Sequence, residues 1–440
     1  MSFLHADREL SRQNFYEASA NRGAGFGPLE GDADCDVAVV GGGLAGLSAA
    51  LELADRGFSV RLLEAGRVGQ GASGRNGGQA IHGLACDIGV VEQQLGQPAA
   101  RQVFDMTIEA LDLIRARCRR FGIQADWQDG WLGVAKSARK ARELLAGAEH
   151  LARHYGYPLE EITAAQLPRW VSSPLYCAGV HDARSGHLHP LKYSLGLARA
   201  AAGLGARLHE QTSVTRLLPA GQGGVPAGQS WLTTPHGTVR ARHVLLAGNV
   251  YLQGLAPVLA RRIMPVGTYV IATEAVPADT ARAAIPSGAA VCDNDFVLDY
   301  YRFSADHRML FGGRVSYSTA TPTRLAERMR ARMAATLPAL AQVPVAHAWG
   351  GFVDITMNRA PDFGRLPGAP QVYYLQGFSG HGLALTGLAG RLVAEAIAGD
   401  AGRFDTFARL KHRVFPGGPL LRTPSLVLGM AWYRLKEALA

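Results

Sequence analysis

Residues Asp36 to Glu64 read DVAVVGGGLAGLSAALELADRGFSVRLLE, and this stretch decides the fold. Its opening residues form a short, mostly apolar run that suits a buried strand, and leucines and alanines at helical spacing follow the glycines. Gly57 ends that helix, and a second apolar strand, Ser59 to Leu63, leads directly to the acid. The stretch therefore predicts a strand, a helix and a second strand in immediate succession.

Three glycines, Gly41, Gly43 and Gly46, stand between the first strand and the helix at the G-x-G-x-x-G spacing. The first allows a tight turn, the second lets backbone N–H groups approach a pyrophosphate, and the third lets the helix pack on the sheet. The helix N-terminus adds positive potential. Glu64 stands 18 residues after Gly46, where an acid binds ribose hydroxyls. The pattern predicts a dinucleotide site for an unphosphorylated ribose.

Length and charge limit the classes of protein that this chain can represent. Its 440 residues, of which 48% are hydrophobic, suffice for two domains and a large core. The formal net charge of +9 permits an acidic substrate, a membrane surface or nucleic acid as partner. The basic residues are dispersed, however, and the cluster Arg115 to Arg120 lies in a helical pattern that indicates a solvated face. Nucleic-acid binding is therefore not expected.

The five cysteines are scattered and contain no C-x-x-C pair. This arrangement suits a reducing compartment, and it argues against a disulfide reductase and against a cysteine-held zinc. The N-terminus carries charges where a signal peptide needs an apolar core, and no apolar run reaches the ~20 residues of a membrane span. His187 and His189 could form a metal pair, but no third ligand is evident. We expect a cytoplasmic soluble protein without a bound metal or transmembrane segment.

The order of patterns along the chain predicts a discontinuous cofactor domain. A strand pattern, Thr238 to Gly248, and a later strand, glycine-rich loop and helix, 371–399, both look like returns to the dinucleotide sheet, whereas 262–344 alternates strand patterns of an antiparallel domain. The predicted boundaries are 1–35 for an N-terminal arm pinned by Phe15 and Tyr16, 36–90, 190–261 and 345–410 for the cofactor domain, 91–189 and 262–344 for the substrate domain, and 411–440 for a C-terminal tail.

Three motifs carry a resemblance to a known family. GGGLAG at Gly41 to Gly46, GASGRNGGQ at Gly71 to Gln79 and GFSGHGLALTG at Gly377 to Gly387 resemble the FAD-dependent amine oxidases of the D-amino-acid oxidase and glycine oxidase superfamily. Within it, DITMNRAPDFGRL at Asp354 to Leu366 and FPGGPLLRTP at Phe415 to Pro424 resemble γ-glutamylputrescine oxidases. The expected fold is α/β, with a Rossmann-like FAD-binding domain of the glutathione-reductase type and a second, antiparallel-sheet substrate domain.

The resemblance implies a non-covalently bound FAD and assigns residues to each part of it. Gly41, Gly43, Gly46 and Glu64 are expected at the ADP half; Ser73, Arg75, Gly77, Gly78 and Gln79 at the pyrophosphate and isoalloxazine; Val214 at the adenine through its backbone; Ala247 and Gly248 at the ribityl chain; and Gly377, Phe378, Ser379, Gly380, His381, Gly382 and Leu383 at the pyrimidine edge. Val214 is apolar, so a place in the core is an equal alternative.

The implied reaction moves a hydride equivalent from the carbon next to nitrogen to the flavin, and water hydrolyses the resulting imine. Three side chains are catalytic candidates: His381, Tyr301 and Arg302. Protonated His381 would help oxygen to accept electrons, whereas neutral His381 would only fix its loop. Arg302 and the neighbouring aromatic residue would bind a substrate carboxylate; the alternative for Arg302 is a surface ion pair with Asp299 or Asp306.

A second carboxylate-binding arginine, which α-amino-acid oxidases have after the sheet return, is missing from the stretch WGGFVD at Trp349 to Asp354. This departure favours an amine whose carboxylate is remote or absent, with Trp349 and Phe352 as apolar walls or core residues. We therefore expect an oxidase of γ-glutamylputrescine in polyamine catabolism that uses oxygen and releases hydrogen peroxide. The alternatives are an oxidase of L-pipecolate or another secondary amine, and a dehydrogenase that docks on a membrane through its tail, Leu420 to Leu439.

Overall fold

Two sheets organise the protein in a computed structural model, which describes residues 7, 10, 14–252, 254–316 and 323–416. The predicted membrane-docking segment, Leu420 to Leu439, lies outside the described residues, as do most of the motif Phe415 to Pro424 and most of the first thirteen residues. In the described part of the chain, no helix is both long and apolar enough to cross a membrane.

The bounds of the described elements follow the chain order. The strands are β1 (Ala33–Val40), β2 (Val60–Leu63), β3 (Gln79–Ala80), β4 (Gln128–Ala135), β5 (Glu160–Thr163), β6 (Ala178–His187), β7 (Arg207–His209), β8 (Arg216–Leu218), β9 (Ser230–Thr234), β10 (Gly237–Leu246), β11 (Ile263–Ala275), β12 (Ala290–Asp293), β13 (Tyr300–Phe303), β14 (Arg308–Ser316), β15 (Val345–Thr356), β16 (Asp362–Leu366) and β17 (Ala369–Gln376). The α-helices are α1 (Phe15–Ser19), α2 (Leu44–Asp55), α3 (Ile88–Leu95), α4 (Gln97–Phe121), α5 (Ala138–Tyr155), α6 (Pro190–Gly203), α7 (Pro257–Ala260), α8 (Ala278–Ala284), α9 (Leu325–Thr336), α10 (Leu385–Ile397) and α11 (Gly402–Ala408).

The first sheet has the strand order β16-β17-β10-β1-β2-β7, and its five strands from β17 to β7 are parallel. The short strands β8 and β9 extend it beside β10 as antiparallel neighbours. Val40 at the end of β1 pairs with Leu63 of β2 and with Leu246 of β10. The loops that follow these three strands therefore start side by side, at the edge where open parallel sheets bind ligands.

Helix α2 connects β1 to β2, as the glycine pattern predicts. A Cβ atom added at Gly46 would collide with the carbonyl oxygen of Gly41 and touch Val39, so only glycine permits this close packing of helix on strand. On its other side α2 packs against α10, where a Cβ at Gly390 would lie 2.5 Å from the backbone nitrogen of Ala49. Small residues on both helices therefore set the spacing of the layer that covers the first sheet.

The second sheet has the order β15-β11-β14-β13-β12-β4-β6-β3, with β5 paired to β6. Its neighbours are antiparallel except for β12 and β4. Alternate residues of its strands face two different cores: Tyr301 belongs to the core shared with α9, whereas Tyr300 packs on the core that contains α2 and α6. One face of this sheet is therefore turned towards the half of the protein that holds the first sheet. This arrangement confirms the predicted α/β fold with two parts.

The predicted boundaries put residues 345–410 in the cofactor domain, whereas strand β15 belongs to the second sheet. It pairs with β11 of the second sheet from Val345 to Thr356, and the chain rejoins the first sheet only at β16. The division into domains stays a prediction. Near the N-terminus, Phe15 and Tyr16 are 4% and 0% exposed, which confirms that they pin the arm to the body.

Candidate active site

A cavity of about 560 Å³ lies at the carboxyl ends of β1, β2 and β10. The turns that follow these parallel strands supply most of its wall, so the lining is rich in backbone atoms and poor in bulky side chains. Predicted residues that line it are Gly41, Gly43, Glu64, Ser73, Val214, Ala247 and Gly248. Residues that the sequence interpretation missed are Gly42, Gly66, Ser213, Thr215, Asn249, Tyr251 and Leu252, among others. The signal that could have found them is their place in the connections that follow the strands β1, β2, β7 and β10.

The turn after β1 can be built only with glycine. Gly41 has a φ of 111°, and a Cβ there would lie 2.6 Å from the carbonyl oxygen of Ala247 on the neighbouring turn. A Cβ at Gly43 would lie 2.8 Å from Oγ of Ser73. That hydroxyl accepts a 2.9 Å hydrogen bond from the backbone N–H of Leu44, the first residue of α2. An acceptor is thus already held at the helix N-terminus, where a phosphate oxygen would be stabilised.

Glu64 is fixed at the cavity wall by two backbone donors. Its Oε2 accepts from the N–H of Gly42 at 2.6 Å, and its Oε1 accepts from the N–H of Gly66 at 2.7 Å. Burial raises the pKa of this carboxyl above its ordinary value, while both N–H groups act in the opposite direction. The glycine cradle, the helix N-terminus and this acid fit the ADP half of FAD. The assignment of each residue to a part of FAD stays a prediction.

Arg75 does not line this cavity. Its guanidinium is buried and pairs with Asp7, and it donates to the carbonyl oxygen of Gly350 at 2.8 Å. The carbonyl oxygen of Arg75 accepts a 2.9 Å bond from Nε1 of Trp349. Arg75 therefore ties the glycine-rich loop to β15, and Trp349, 1% exposed, is a core residue, as is Phe352.

Gly77 and Gly78 lie against β13 instead of lining the cavity. A Cβ at Gly77 would collide with the ring of Tyr300, and one at Gly78 would collide with the carbonyl oxygen of Leu188 and the guanidinium of Arg302. The side-chain amide of the next residue, Gln79, donates to the carbonyl oxygen of Val291 at 3.0 Å. The loop is thus clamped onto the second sheet at the junction of the two parts.

The structure places Tyr301 in a hydrophobic core, which argues against its predicted catalytic role. Its side chain is 0% exposed, stacks on Phe311 at 5.6 Å between ring centroids and shares a hydrogen bond with the hydroxyl of Tyr176. Because side chains alternate along a strand, Tyr300 is the residue of this pair that faces the first part of the protein. Tyr301 is therefore a residue of the hydrophobic core.

For Arg302 the structure contradicts the surface ion pair and argues against the carboxylate role, which stays a prediction. The side chain is 3% exposed and pairs with neither Asp299 nor Asp306. Its donors go to neutral acceptors instead. Nε donates to the carbonyl oxygen of Gly77 at 2.7 Å, and Nη1 donates to the carbonyl oxygen of Phe303 at 3.2 Å. Nη2 donates to the carbonyl oxygen of Leu188 at 2.8 Å and to the hydroxyl of Tyr16 at 3.0 Å. A fork so occupied cannot also bind a substrate carboxylate in bidentate fashion.

The loop Gly377 to Leu383 follows β17 and is held by hydrogen bonds to Asp354. Oδ2 of that carboxyl accepts from the N–H of Gly377 at 2.6 Å, and its backbone oxygen accepts from the N–H of Ser379 at 3.0 Å. Burial raises the pKa of Asp354 to about 7, against the opposing effect of the Gly377 N–H. Gly377, Ser379 and Gly380 all have positive φ, which gives the loop its tight path.

His381 is a neutral anchor of this loop. Nε2 donates to the carbonyl oxygen of His82 at 3.0 Å, and burial lowers the pKa of His381 to about 4. The neutral alternative, in which the imidazole fixes the loop, is therefore favoured over a protonated aid to oxygen. His187 and His189 are structural as well: each is buried, and Nδ1 of His189 accepts from the N–H of Lys192 at the start of α6. The described residues contain no cluster that could hold a metal ion.

Comparisons with known proteins agree with this geometry. A family model described as FAD dependent oxidoreductase matches residues 36–396. The chain is 42% identical over 427 residues to the γ-glutamylputrescine oxidoreductase of Escherichia coli K12, covering 97% of this chain and 98% of that protein. It is 38% identical over 430 residues to oxidoreductase OrdL of Haemophilus influenzae, covering 97% of each. Glycine oxidase from Bacillus cereus superposes with a TM-score of 0.69 at 21% identity over 86% of this chain and 99% of that one, a likeness of fold.

Proposed function

Because the chain belongs to the family of FAD-dependent oxidoreductases, we propose that it oxidises the terminal amine of γ-glutamylputrescine. The observation that carries this proposal is the 42% identity to the Escherichia coli γ-glutamylputrescine oxidoreductase, which extends over nearly the whole length of both chains. A relationship of that extent includes the strands of both sheets and the loops between them.

The occupied guanidinium of Arg302 supports an amine substrate over an α-amino acid. An α-carboxylate next to the reacting carbon needs a guanidinium that can bind it with two hydrogen bonds. The donors of Arg302 are instead hydrogen-bonded to Gly77, Leu188, Phe303 and Tyr16. The putrescine end of γ-glutamylputrescine has no carboxylate near the carbon that is oxidised. A site without the fork therefore fits that end of the molecule.

The residues of the chain would hold FAD, and bound FAD would supply the acceptor for the hydride equivalent. The turn from Gly41 to Gly46 would present backbone N–H groups to the pyrophosphate, and Glu64, at the cavity wall, would bind the ribose. The loop Gly377 to Leu383, which Asp354 and His381 hold in place, would lie at the pyrimidine edge. The product imine is hydrolysed by water to an aldehyde and ammonia.

Oxygen is the proposed electron acceptor, and hydrogen peroxide is the second product. The proposed compartment is the cytoplasm, which the five unpaired cysteines favour. FAD is proposed to be bound without a covalent link.

A peroxide assay on the purified, yellow protein tests the function. The panel contains γ-glutamylputrescine, putrescine, L-pipecolate, sarcosine and glycine, each with oxygen alone and with ferricyanide added as a competing acceptor. We expect the highest kcat/KM with γ-glutamylputrescine and peroxide in proportion to substrate consumed. Preference for pipecolate, or flavin reduction that ferricyanide but not oxygen reverses, would contradict the proposal in favour of one of the two alternatives.

A further inference from the structure

A histidine and a carboxylate form a hydrogen-bonded pair beside the proposed flavin loop. Nδ1 of His82 lies 2.7 Å from Oδ2 of Asp182, which is on β6. Asp182 also accepts from the hydroxyl of Tyr157 at 2.9 Å, from the hydroxyl of Ser185 and from the N–H of Arg184 at 3.0 Å. With so many donors around it Asp182 is an anion, and their hydrogen bonds, that of His82 first, hold its pKa well below the usual range although burial opposes them. The anion fixes the imidazole in the tautomer with hydrogen on Nδ1.

The other ring nitrogen of His82 is therefore a free acceptor. No described residue lies within hydrogen-bonding distance of its Nε2, and that atom is not fully buried. The His82 side chain is 10% exposed, compared with 4% for Asp182. A buried carboxylate behind an oriented imidazole with an open nitrogen is the arrangement of a general base.

The pair lies on the side of the second sheet that faces the first part of the protein. The ring of Trp131 meets that of His82 edge to face at 5.7 Å, and Leu132 and Val134 on the same strand face the opposite core. Trp131 therefore shares a face with Tyr300. A Cβ at Gly133 would lie 2.7 Å from the Trp131 ring, so the ring packs directly over this glycine.

A backbone contact connects His82 to the loop that is proposed to close over FAD. The carbonyl oxygen of His82 accepts the hydrogen bond from Nε2 of His381. His82 also follows the clamped segment from Gly77 to Gln79 by only three residues. The backbone of His82 is thus joined to the loop Gly377 to Leu383.

We propose that His82, oriented by Asp182, accepts the proton that the substrate ammonium must lose before its carbon is oxidised. The inference rests on the proposed function, since it needs an amine substrate. An aliphatic amine has a pKa of about 10 and is almost wholly protonated near neutral pH, while only the neutral amine has the electron pair that assists hydride loss. One N–H bond of the ammonium breaks, the proton bonds to Nε2 of His82, and the electron pair stays on the substrate nitrogen. The following oxidation uses FAD, and no other reactant is required.

Among the described residues, the titratable groups that face His82 are few. Asp182 and Tyr157 contact its ring, His381 contacts its carbonyl oxygen, and Arg184 lies over the Tyr157 ring at 6.0 Å. Burial raises the pKa of the Tyr157 phenol and lowers that of His381 to about 4, so both are neutral between about pH 7 and pH 10. A pH dependence in that interval therefore does not arise from either of these two groups.

The test is the second-order rate constant of anaerobic flavin reduction by amine, which equals kcat/KM when reduction is irreversible, between about pH 8 and pH 10 in the wild type and in His82→Gln. Glutamine keeps an N–H donor for Asp182 but has no basic nitrogen. Wild-type kcat/KM is expected to be nearly constant, because the bound ammonium is deprotonated by the enzyme. In the variant only free neutral amine reacts, so kcat/KM should be about 100-fold lower at pH 8 and rise tenfold per pH unit.

The matched control is His181→Gln, on the same strand as Asp182 but turned to Glu160 and Trp170. It should follow the wild-type profile. A wild-type kcat/KM that itself rises tenfold per unit would overturn the proposal even if the variant did not fold, and so would a flat profile in a folded, yellow His82→Gln. The amine used is whichever one of the panel reduces the wild-type flavin. Failure of γ-glutamylputrescine to do so rejects the substrate and leaves the test of His82 intact.

Discussion

Replacing Arg302 by methionine separates a structural role from substrate binding. The change keeps the length of the side chain and removes its donors, which leaves the buried carbonyl oxygens of Gly77 and Leu188 without their 2.7 and 2.8 Å partners. Each unsatisfied buried acceptor costs about 1–3 kcal/mol, while removal of a buried cation returns part of that loss. We expect a net loss of about 3 kcal/mol in the free energy of unfolding, hence a fall of roughly 3–6 °C in Tm for a chain of this size.

Thermal unfolding and steady-state kinetics of Arg302→Met, measured on the same preparation, test this expectation. KM for γ-glutamylputrescine should change by less than about threefold, because the donors of the guanidinium are already paired within the protein. The control is Arg308→Met on the next strand, whose guanidinium is 22% exposed and pairs with Asp306 and Glu274; its loss should cost less than about 1 kcal/mol. A 10- to 100-fold rise in KM at unchanged Tm, equivalent to about 1.4–2.7 kcal/mol of lost binding, would refute the structural role and restore Arg302 as a carboxylate ligand.

Three further expectations concern the cofactor and its loop. Gly43→Val should abolish flavin absorbance, because its side chain would displace Ser73 from the helix N-terminus; Gly147→Ala, where a Cβ meets nothing within 4 Å, should stay yellow. Acid precipitation should release all the colour, since no cysteine occurs in 349–387; coloured pellets would show a covalent link. Asp354→Asn removes an ionisation that folding opposes, because the folded pKa of about 7 exceeds the ordinary 3.8. In the wild type, the contribution of Asp354 to the free energy of unfolding falls as the pH rises through that interval. Tm should therefore change less between about pH 5 and pH 8 in Asp354→Asn than in the wild type.

The local parts of the fold could be predicted because their causes are local. The first strand, helix and second strand follow from apolar spacing and three glycines within Asp36 to Glu64, and the structure reproduces them as β1, α2 and β2. The long helices α4 and α5 likewise have local causes, because each has an amphipathic repeat with a glycine in the left-handed conformation at its end. The cavity residues after β10 and β2 could be predicted because parallel strands bring their carboxyl ends to one edge.

Side-chain direction could not be predicted from the same patterns. A motif places Tyr300 and Tyr301 on a strand, but the choice between them depends on which face of the second sheet is turned to the first part of the protein. Arg75 stands in a loop of flavin-binding type, yet Asp7 and Gly350, from distant parts of the chain, attract its guanidinium. The pairing of β15 with β11 could not be predicted either, because it joins strands that are far apart in the chain.

Arg302 shows why a motif-based role can fail although the residue is correctly placed on its strand. Its acceptors come from residues 16, 77, 188 and 303, so no local pattern reveals that the fork is full before the chain folds. Burial, followed by the positive charge of Arg302, lowers the pKa of both His187 and His189 to about 3, so these histidines add no second cation to the junction. Three carbonyl dipoles and the Tyr16 hydroxyl stabilise this buried cation, which requires that the arm, the glycine loop and β13 be docked together. The arginine that the family resemblance suggested for substrate thus joins three segments, and the proposal assigns the polar chemistry of the amine to His82 and Asp182.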